Sequence, residues 1–194
     1  MTERIGLLGG TFDPPHNGHL AVAAEVRHAL GLDAVWMLVA GDPWQKRGRV
    51  VATAEERLAL VTAAVAEVDG LAPCAVEVER TGATVTADSL ETLSAPGREL
   101  LLILGADAVA NMGTWRRLDD TRHLATIVVV ERAGDLDVDP PGEGWRVHHV
   151  RVPRIDVSST ECRERLATGR PVDGLVPESV IAEIHRRGLY APPR

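Results

Sequence analysis

The sequence predicts an α/β fold, a central and mainly parallel sheet with helices on both faces, and three observations carry that expectation. Short apolar runs alternate with amphipathic stretches along the 194 residues, the punctuation of β-α-β units. Two runs, Leu100–Leu104 and Thr126–Val130, are apolar almost throughout, as strands covered on both faces must be. A glycine pair directly after the first run opens into a helix, which is where a parallel sheet gathers its ligands.

The elements follow in order. Ile5–Leu8 is the first strand, His19–Leu30 a helix with apolar periodicity, and Ala34–Val39 the second strand. Ala54–Val68 reads as a helix and Cys74–Val78 as a strand of alternating apolar residues. Thr86–Leu93 is a helix before the Leu100–Leu104 strand, Asp107–Met112 and Trp115–Leu124 are short helices, and Thr126–Val130 is the last long strand. Ala133–Gly144 is acidic and rich in Gly and Pro, a solvated connection. Ser158 with Glu161 fits a capping box at the start of a helix running to Ala167.

Composition narrows the function. The length suits one compact domain, residues 1–194, with a sizeable core. A formal charge of −7 argues against nucleic acid as a partner while leaving small phosphates open. Cys74 and Cys162 lack any metal-ligand spacing and read as small buried hydrophobes. There is no signal-like apolar core and no run of membrane-spanning length, so a cytoplasmic protein without a membrane partner is expected. G-x-G-x-x-G and G-x-x-x-x-G-K-[ST] are both absent, which weakens a dehydrogenase or P-loop reading.

The segment Gly9 to His19, GGTFDPPHNGH, is the most informative stretch. Gly9 and Gly10 let backbone N–H groups approach a ligand, and Pro14 with Pro15 stiffens the turn. Asp13 suits an Asx-turn and Phe12 suits the core. His16 and His19, three residues apart, converge at the positive end of the following helix, an anion site. A second cradle is Val157-Ser-Ser-Thr-Glu-Cys-Arg163, three consecutive hydroxyls with an arginine in the first helical turn. Lys46, the chain's only lysine, stands in the cationic loop Gly41–Arg49, which follows the second strand and could act as a lid.

The first segment resembles the HxGH signature of the nucleotidylyltransferase superfamily, as His16-Asn-Gly-His19, within the GTFDPxHxGH form of bacterial nicotinate-mononucleotide adenylyltransferases. Phosphopantetheine adenylyltransferases usually carry Thr where this chain has His16. Val157–Arg163 resembles the superfamily's ISSTxxR motif, and Arg80–Leu93 the family's R-x-G-x-S-x-T-x-D-T-L stretch. Pro43-Trp-Gln-Lys46 is similar to a Pro-x-x-Lys segment of relatives.

The resemblance implies a single Rossmann-like domain that transfers the adenylyl group of ATP to nicotinate mononucleotide in NAD biosynthesis, with Mg²⁺ carried mainly by phosphate and water. It implies His16, His19, Lys46 and Arg163 as the phosphate-stabilising catalytic set. It implies ATP contacts from Gly9, Gly10, Thr11, Phe12, Ser158, Ser159 and Thr160, and ribose contacts from Gly105 and Asp107, since a carboxylate accepts from both hydroxyls of a diol. Thr86 and Trp115 would meet the nicotinate ring, and Arg132 the mononucleotide. By their own pattern, Thr86 also suits a helix cap, Asp88 a first-turn carboxylate and Trp115 a core position. Nicotinamide mononucleotide or phosphopantetheine as acceptor, a noncatalytic dinucleotide sensor, and a homo-oligomeric state all remain open at this point.

Overall fold

The computed structural model describes residues 2–42, 51–80, 82, 84–131 and 138–191. Six parallel strands form one sheet: β1 (Glu3–Gly10), β2 (Ala34–Val39), β3 (Leu71–Cys74), β4 (Arg98–Gly105), β5 (Thr126–Glu131) and β6 (Val147–Arg151). Their spatial order is β3-β2-β1-β4-β5-β6, so the chain reverses its direction of travel across the sheet between β1 and β4. At such a switch point the loops after the two strands diverge and leave a crevice at the carboxyl edge. The helices are α1 (Asn17–Leu30), α2 (Ala54–Val65), α3 (Thr86–Leu93), α4 (Ala106–Ala110), α5 (Leu118–Leu124), α6 (Ser159–Ala167) and α7 (Glu178–Arg187).

Alternation along β4 sorts the core into two layers. Leu101 and Ile103 point to the side covered by α1, α2, α6 and α7, while Leu100, Leu102 and Leu104 point to the side covered by α3 and α4. Helices therefore cover both faces, as the apolar strand pattern requires. Both cysteines are buried and free, Cys162 in the first layer. Among the described residues no helix is long and apolar enough to cross a membrane.

Several boundaries differ from the sequence expectation. The first helix starts at Asn17 because His16 caps it in a capping-box arrangement: the His19 ring accepts the His16 backbone N–H, and the His19 backbone N–H bonds to the His16 carbonyl at 2.9 Å. The third strand is Leu71–Cys74, not Cys74–Val78. Beyond Cys74 the chain turns, the Glu79 N–H bonding to the Ala75 carbonyl, and its backbone crowds the loop after β2. A Cβ on Gly41 would sit 2.1 Å from the Glu77 carbonyl oxygen, so only glycine lets the two segments meet. The second helix ends at Val65 rather than Val68. Trp115–Arg117 is a turn before α5, with Arg117 at φ +57°, and Met112–Thr114 is a short 3₁₀ turn after α4.

Candidate active site

Both strands at the switch point end in glycine, Gly10 in β1 and Gly105 in β4. Between the loops that follow them lies a cavity of about 520 Å³, with Gly9, Gly10 and Thr11 on one wall and Asp107, Trp115 and Thr86 on the others. Six positions expected from sequence to meet ATP or the acceptor nucleotide thus share one cavity. Gly10 is required there for a local reason: a Cβ would lie 2.6 Å from the Phe12 ring. Phe12 itself has φ +52° and is 2% exposed. Its ring fills the core, so contact with a ligand falls to its backbone.

His16, His19, Ser158, Ser159, Thr160 and Arg163 gather at the N-termini of α1 and α6, on the loop that follows β1. The His16 and His19 rings stack with centroids 3.6 Å apart, and the Phe12 edge meets His19 at 4.9 Å. His19 Nδ1 accepts the His16 backbone N–H at 3.2 Å. That bond needs a bare Nδ1, so the neutral ring carries its proton on Nε2 and presents a donor.

The α6 N-terminus is docked on the same loop. Ser159 Oγ donates to the Pro14 carbonyl at 2.9 Å, and Arg163 Nη1 donates to the Asp13 carbonyl at 2.7 Å. Arg163 Nη2 reaches Thr160 Oγ1 at 3.3 Å, and Ser158 Oγ accepts the Glu161 N–H at 3.1 Å. All three hydroxyls therefore have partners within the protein, which leaves the first-turn backbone N–H groups and the Arg163 guanidinium to face an anion. Lys46 and Arg132 lie outside the described residues.

Three residues that hold the site carried no functional assignment in the sequence reading. Asp13, 2% exposed, makes more than an Asx-turn: Oδ2 accepts Val51 N–H at 2.8 Å, and Oδ1 accepts Ala52 N–H at 3.1 Å and Tyr190 O–H at 2.7 Å. Arg163 Nη1 lies 3.7 Å from Oδ2. Burial and the bond to Asp13 push the Tyr190 phenol far above its usual range. Arg57, 1% exposed, spans three carbonyls, Thr11 at 2.8 Å, Gly41 at 3.2 Å and Ala52 at 3.3 Å. It ties the loop after β1 to the loop after β2, and desolvation lowers its pKa from the usual value. The signal was present in the sequence: Arg57 precedes Leu60, Val61 and Ala64 on the buried stripe of α2.

The acceptor wall is built by α3 and the turn before α5. Val85 caps α3, and Thr86 is its first residue, so Thr86 does not cap the helix and instead borders the cavity. Asp88 complements the helix terminus and also pairs with Arg117, which additionally reaches Glu91 at 2.5 Å and Asp120 at 2.8 Å. Glu77, 6% exposed, borders the cavity and accepts Ser89 Oγ at 2.8 Å. Burial pushes its carboxyl above the ordinary carboxylate range.

Relatives agree with this geometry. The profile of the cytidylyltransferase-like family matches residues 7–165. A protein of Corynebacterium kroppenstedtii named "Probable nicotinate-nucleotide adenylyltransferase" is 42% identical over 97% of this chain and 92% of its own length. One of the same name from Roseiflexus sp. is 43% identical, over 96% and 97%. The fold is also that of the Plasmodium falciparum nicotinic acid mononucleotide adenylyltransferase complexed with NaAD, at TM-score 0.77, 18% identity and 97% coverage of each chain. Taken with the glycine loop at the switch point and the paired histidines, these matches establish that the chain belongs to the cytidylyltransferase-like family, among its nicotinate-nucleotide adenylyltransferases.

Proposed function

We propose that residues 1–194 act as one nucleotidylyltransferase domain that transfers the adenylyl group of ATP to nicotinate mononucleotide, giving nicotinate adenine dinucleotide and pyrophosphate in NAD biosynthesis. The observation that carries the reading is the single cavity at the β1/β4 switch point, which joins the phosphate-loop glycines to the Thr86–Trp115 wall. A dinucleotide product needs both halves in one space.

In this reading the acceptor's 5′-phosphate oxygen forms a bond to the α-phosphorus of ATP in line with the bond that breaks, and the electron pair leaves on pyrophosphate. A phosphate monoester is already anionic and needs no protein base. The protein's task is to bring two polyanions together and to stabilise charge on the transferring oxygens. His19 donates from Nε2 to the α-phosphate, His16 orients the phosphates from the helix cap, and Arg163 with the α6 N-terminus receives the leaving pyrophosphate. Lys46 adds a cation from its own segment.

Gly9, Gly10, Thr11 and the Phe12 backbone flank the triphosphate, and Ser158, Ser159 and Thr160 shape its far end. Gly105 and Asp107 hold the adenosine ribose. Thr86 and Trp115 hold the pyridine ring, and Arg132 contacts the mononucleotide. Magnesium enters with ATP as its counter-ion. Its coordination would come mainly from phosphate oxygens and water.

The test is pyrophosphate release with ATP, Mg²⁺ and, separately, nicotinate mononucleotide, nicotinamide mononucleotide and phosphopantetheine. The reading requires turnover with a preference for the nicotinate acceptor. Silence with all three, or preference for another acceptor, contradicts it.

A further inference from the structure

Arg57 stands behind the glycine loop and not in the cavity. Gly9, Gly10 and Thr11 border the cavity, whereas Arg57 reaches the loop from the buried stripe of α2. The shortest of its three bonds, Nη1 to the Thr11 carbonyl at 2.8 Å, falls on the peptide that joins Thr11 to Phe12. Its Nε and Nη2 are held by the Ala52 and Gly41 carbonyls, so the guanidinium cannot swing away from Thr11. Only a planar fork serves three carbonyls at once, since an ammonium is a point charge on a flexible stem.

The Thr11–Phe12 peptide is the strained one in this loop. Phe12 has φ +52°, the left-handed region that a residue with a side chain seldom occupies. Such a conformation persists where its surroundings over-determine it, and it gathers at ligand sites. Here the Phe12 ring is wedged beneath Gly10 and the preceding carbonyl is bound to Arg57. The peptide is trans, so its N–H points opposite to its C=O. A Thr11 carbonyl turned back onto Arg57 therefore turns the Phe12 N–H forward, to the side on which Thr11 meets the cavity. Without Arg57, rotation of this one peptide plane would relieve the positive φ and carry the N–H away, with the ring still in the core.

We infer that Arg57 is a positioning residue of the ATP subsite, locking the Thr11–Phe12 peptide so that the Phe12 N–H faces the triphosphate. The inference rests on the reading of the glycine loop as the phosphate site given above.

Phe12 is the chain's only phenylalanine, so protein made with ¹⁵N-labelled phenylalanine gives one backbone amide signal, from this peptide alone. Wild type and Arg57→Lys, which keeps the buried positive charge, are titrated with ATP and Mg²⁺. The wild-type amide proton moves to lower field, as a donor to phosphate does. In Arg57→Lys that movement is lost and the ATP dissociation constant rises about tenfold to a hundredfold, the worth of one bond to a charged group. A role confined to stability would leave both unchanged in the folded variant, and that result overturns the inference. The wild-type titration needs no variant: an amide that saturating ATP leaves unmoved overturns the inference by itself. A wild type that binds ATP with the shift but transfers nothing to any acceptor refutes the transfer reading and supports this one, whereas a wild type that binds no ATP overturns both.

Discussion

Replacing Tyr190 by Phe deletes one oxygen and asks how much the Asp13 hub contributes to the molecule. The hydroxyl donates to Asp13 Oδ1 at 2.7 Å, Tyr190 is 7% exposed, and no backbone partner changes. A bond to a charged acceptor contributes about 1.5–3 kcal/mol. Oδ1 keeps the Ala52 N–H at 3.1 Å, so the loss belongs at the lower end, about 1.5 kcal/mol. For a chain of this size that is a fall of roughly 3–6 °C in melting temperature.

Asp13→Asn goes further. An amide matches the size of the carboxylate, yet its NH₂ faces the Val51 N–H, the Ala52 N–H or the tyrosine hydroxyl. It also withdraws the negative charge from Arg163 at 3.7 Å and from the buried Arg57. Leaving a buried cation without its counter-charge costs about 3–5 kcal/mol. Urea and thermal unfolding of the two variants measure these values. A Tyr190→Phe protein as stable as wild type, or an Asp13→Asn protein within about 1 kcal/mol of it, would refute the view that this cluster ties the phosphate loop to α6 and the chain end.

Four further outcomes follow from the same geometry. Gly10→Ala drives a Cβ into the Phe12 ring and should cost about 1–3 kcal/mol by calorimetry, with a matching loss of ATP affinity. Arg57→Met fills the space but strands the carbonyls of Thr11, Gly41 and Ala52, and a drop in stability of about 3 kcal/mol or more is expected in urea melts. Glu77 has a raised pKa, so the folded state holds its proton more tightly than the unfolded chain, and stability declines as pH rises from the ordinary value of 4.5 towards the raised one. Melting curves at about pH 4 and about pH 8 should therefore show Glu77→Gln gaining on wild type at the higher pH, and a pH-independent difference would contradict this. Glu183 behaves oppositely: Arg186 and Arg187 hold its carboxyl down to about 2, so its contribution is present above 4.5 and lost as pH falls towards 2. Glu183→Gln should then destabilise at neutral pH and make no difference near pH 2.

What the sequence made legible was whatever depends on near neighbours. The apolar run of β4, the glycine pair after β1 and the Ser158 cap of α6 are local, and each appears in the fold where the pattern puts it. The β3 strand was misplaced because Cys74, Val76 and Val78 alternate like a strand while the close approach to Gly41 bends the chain away. β6 escaped notice as a short edge strand whose centre is His148-His149. α7 carried readable signals, Pro177 at its start, His185-Arg186-Arg187 in its last turn and Gly188 beyond, yet its apolar positions are few. The Asp13 hub was out of reach, since its partners stand 38, 150 and 177 positions away.

The central claim is that the loop from Gly9 to His19 stabilises the transferring phosphate through the His19 ring. His19→Asn tests it most directly, because an asparagine oxygen can keep the acceptor that His19 Nδ1 offers to the His16 N–H while the outer Nε2–H is removed. Single-turnover rates with ATP, Mg²⁺ and nicotinate mononucleotide should fall about a hundredfold or more at an unchanged melting temperature. A folded His19→Asn protein that turns over at the wild-type rate would contradict the assignment of this loop as the catalytic centre.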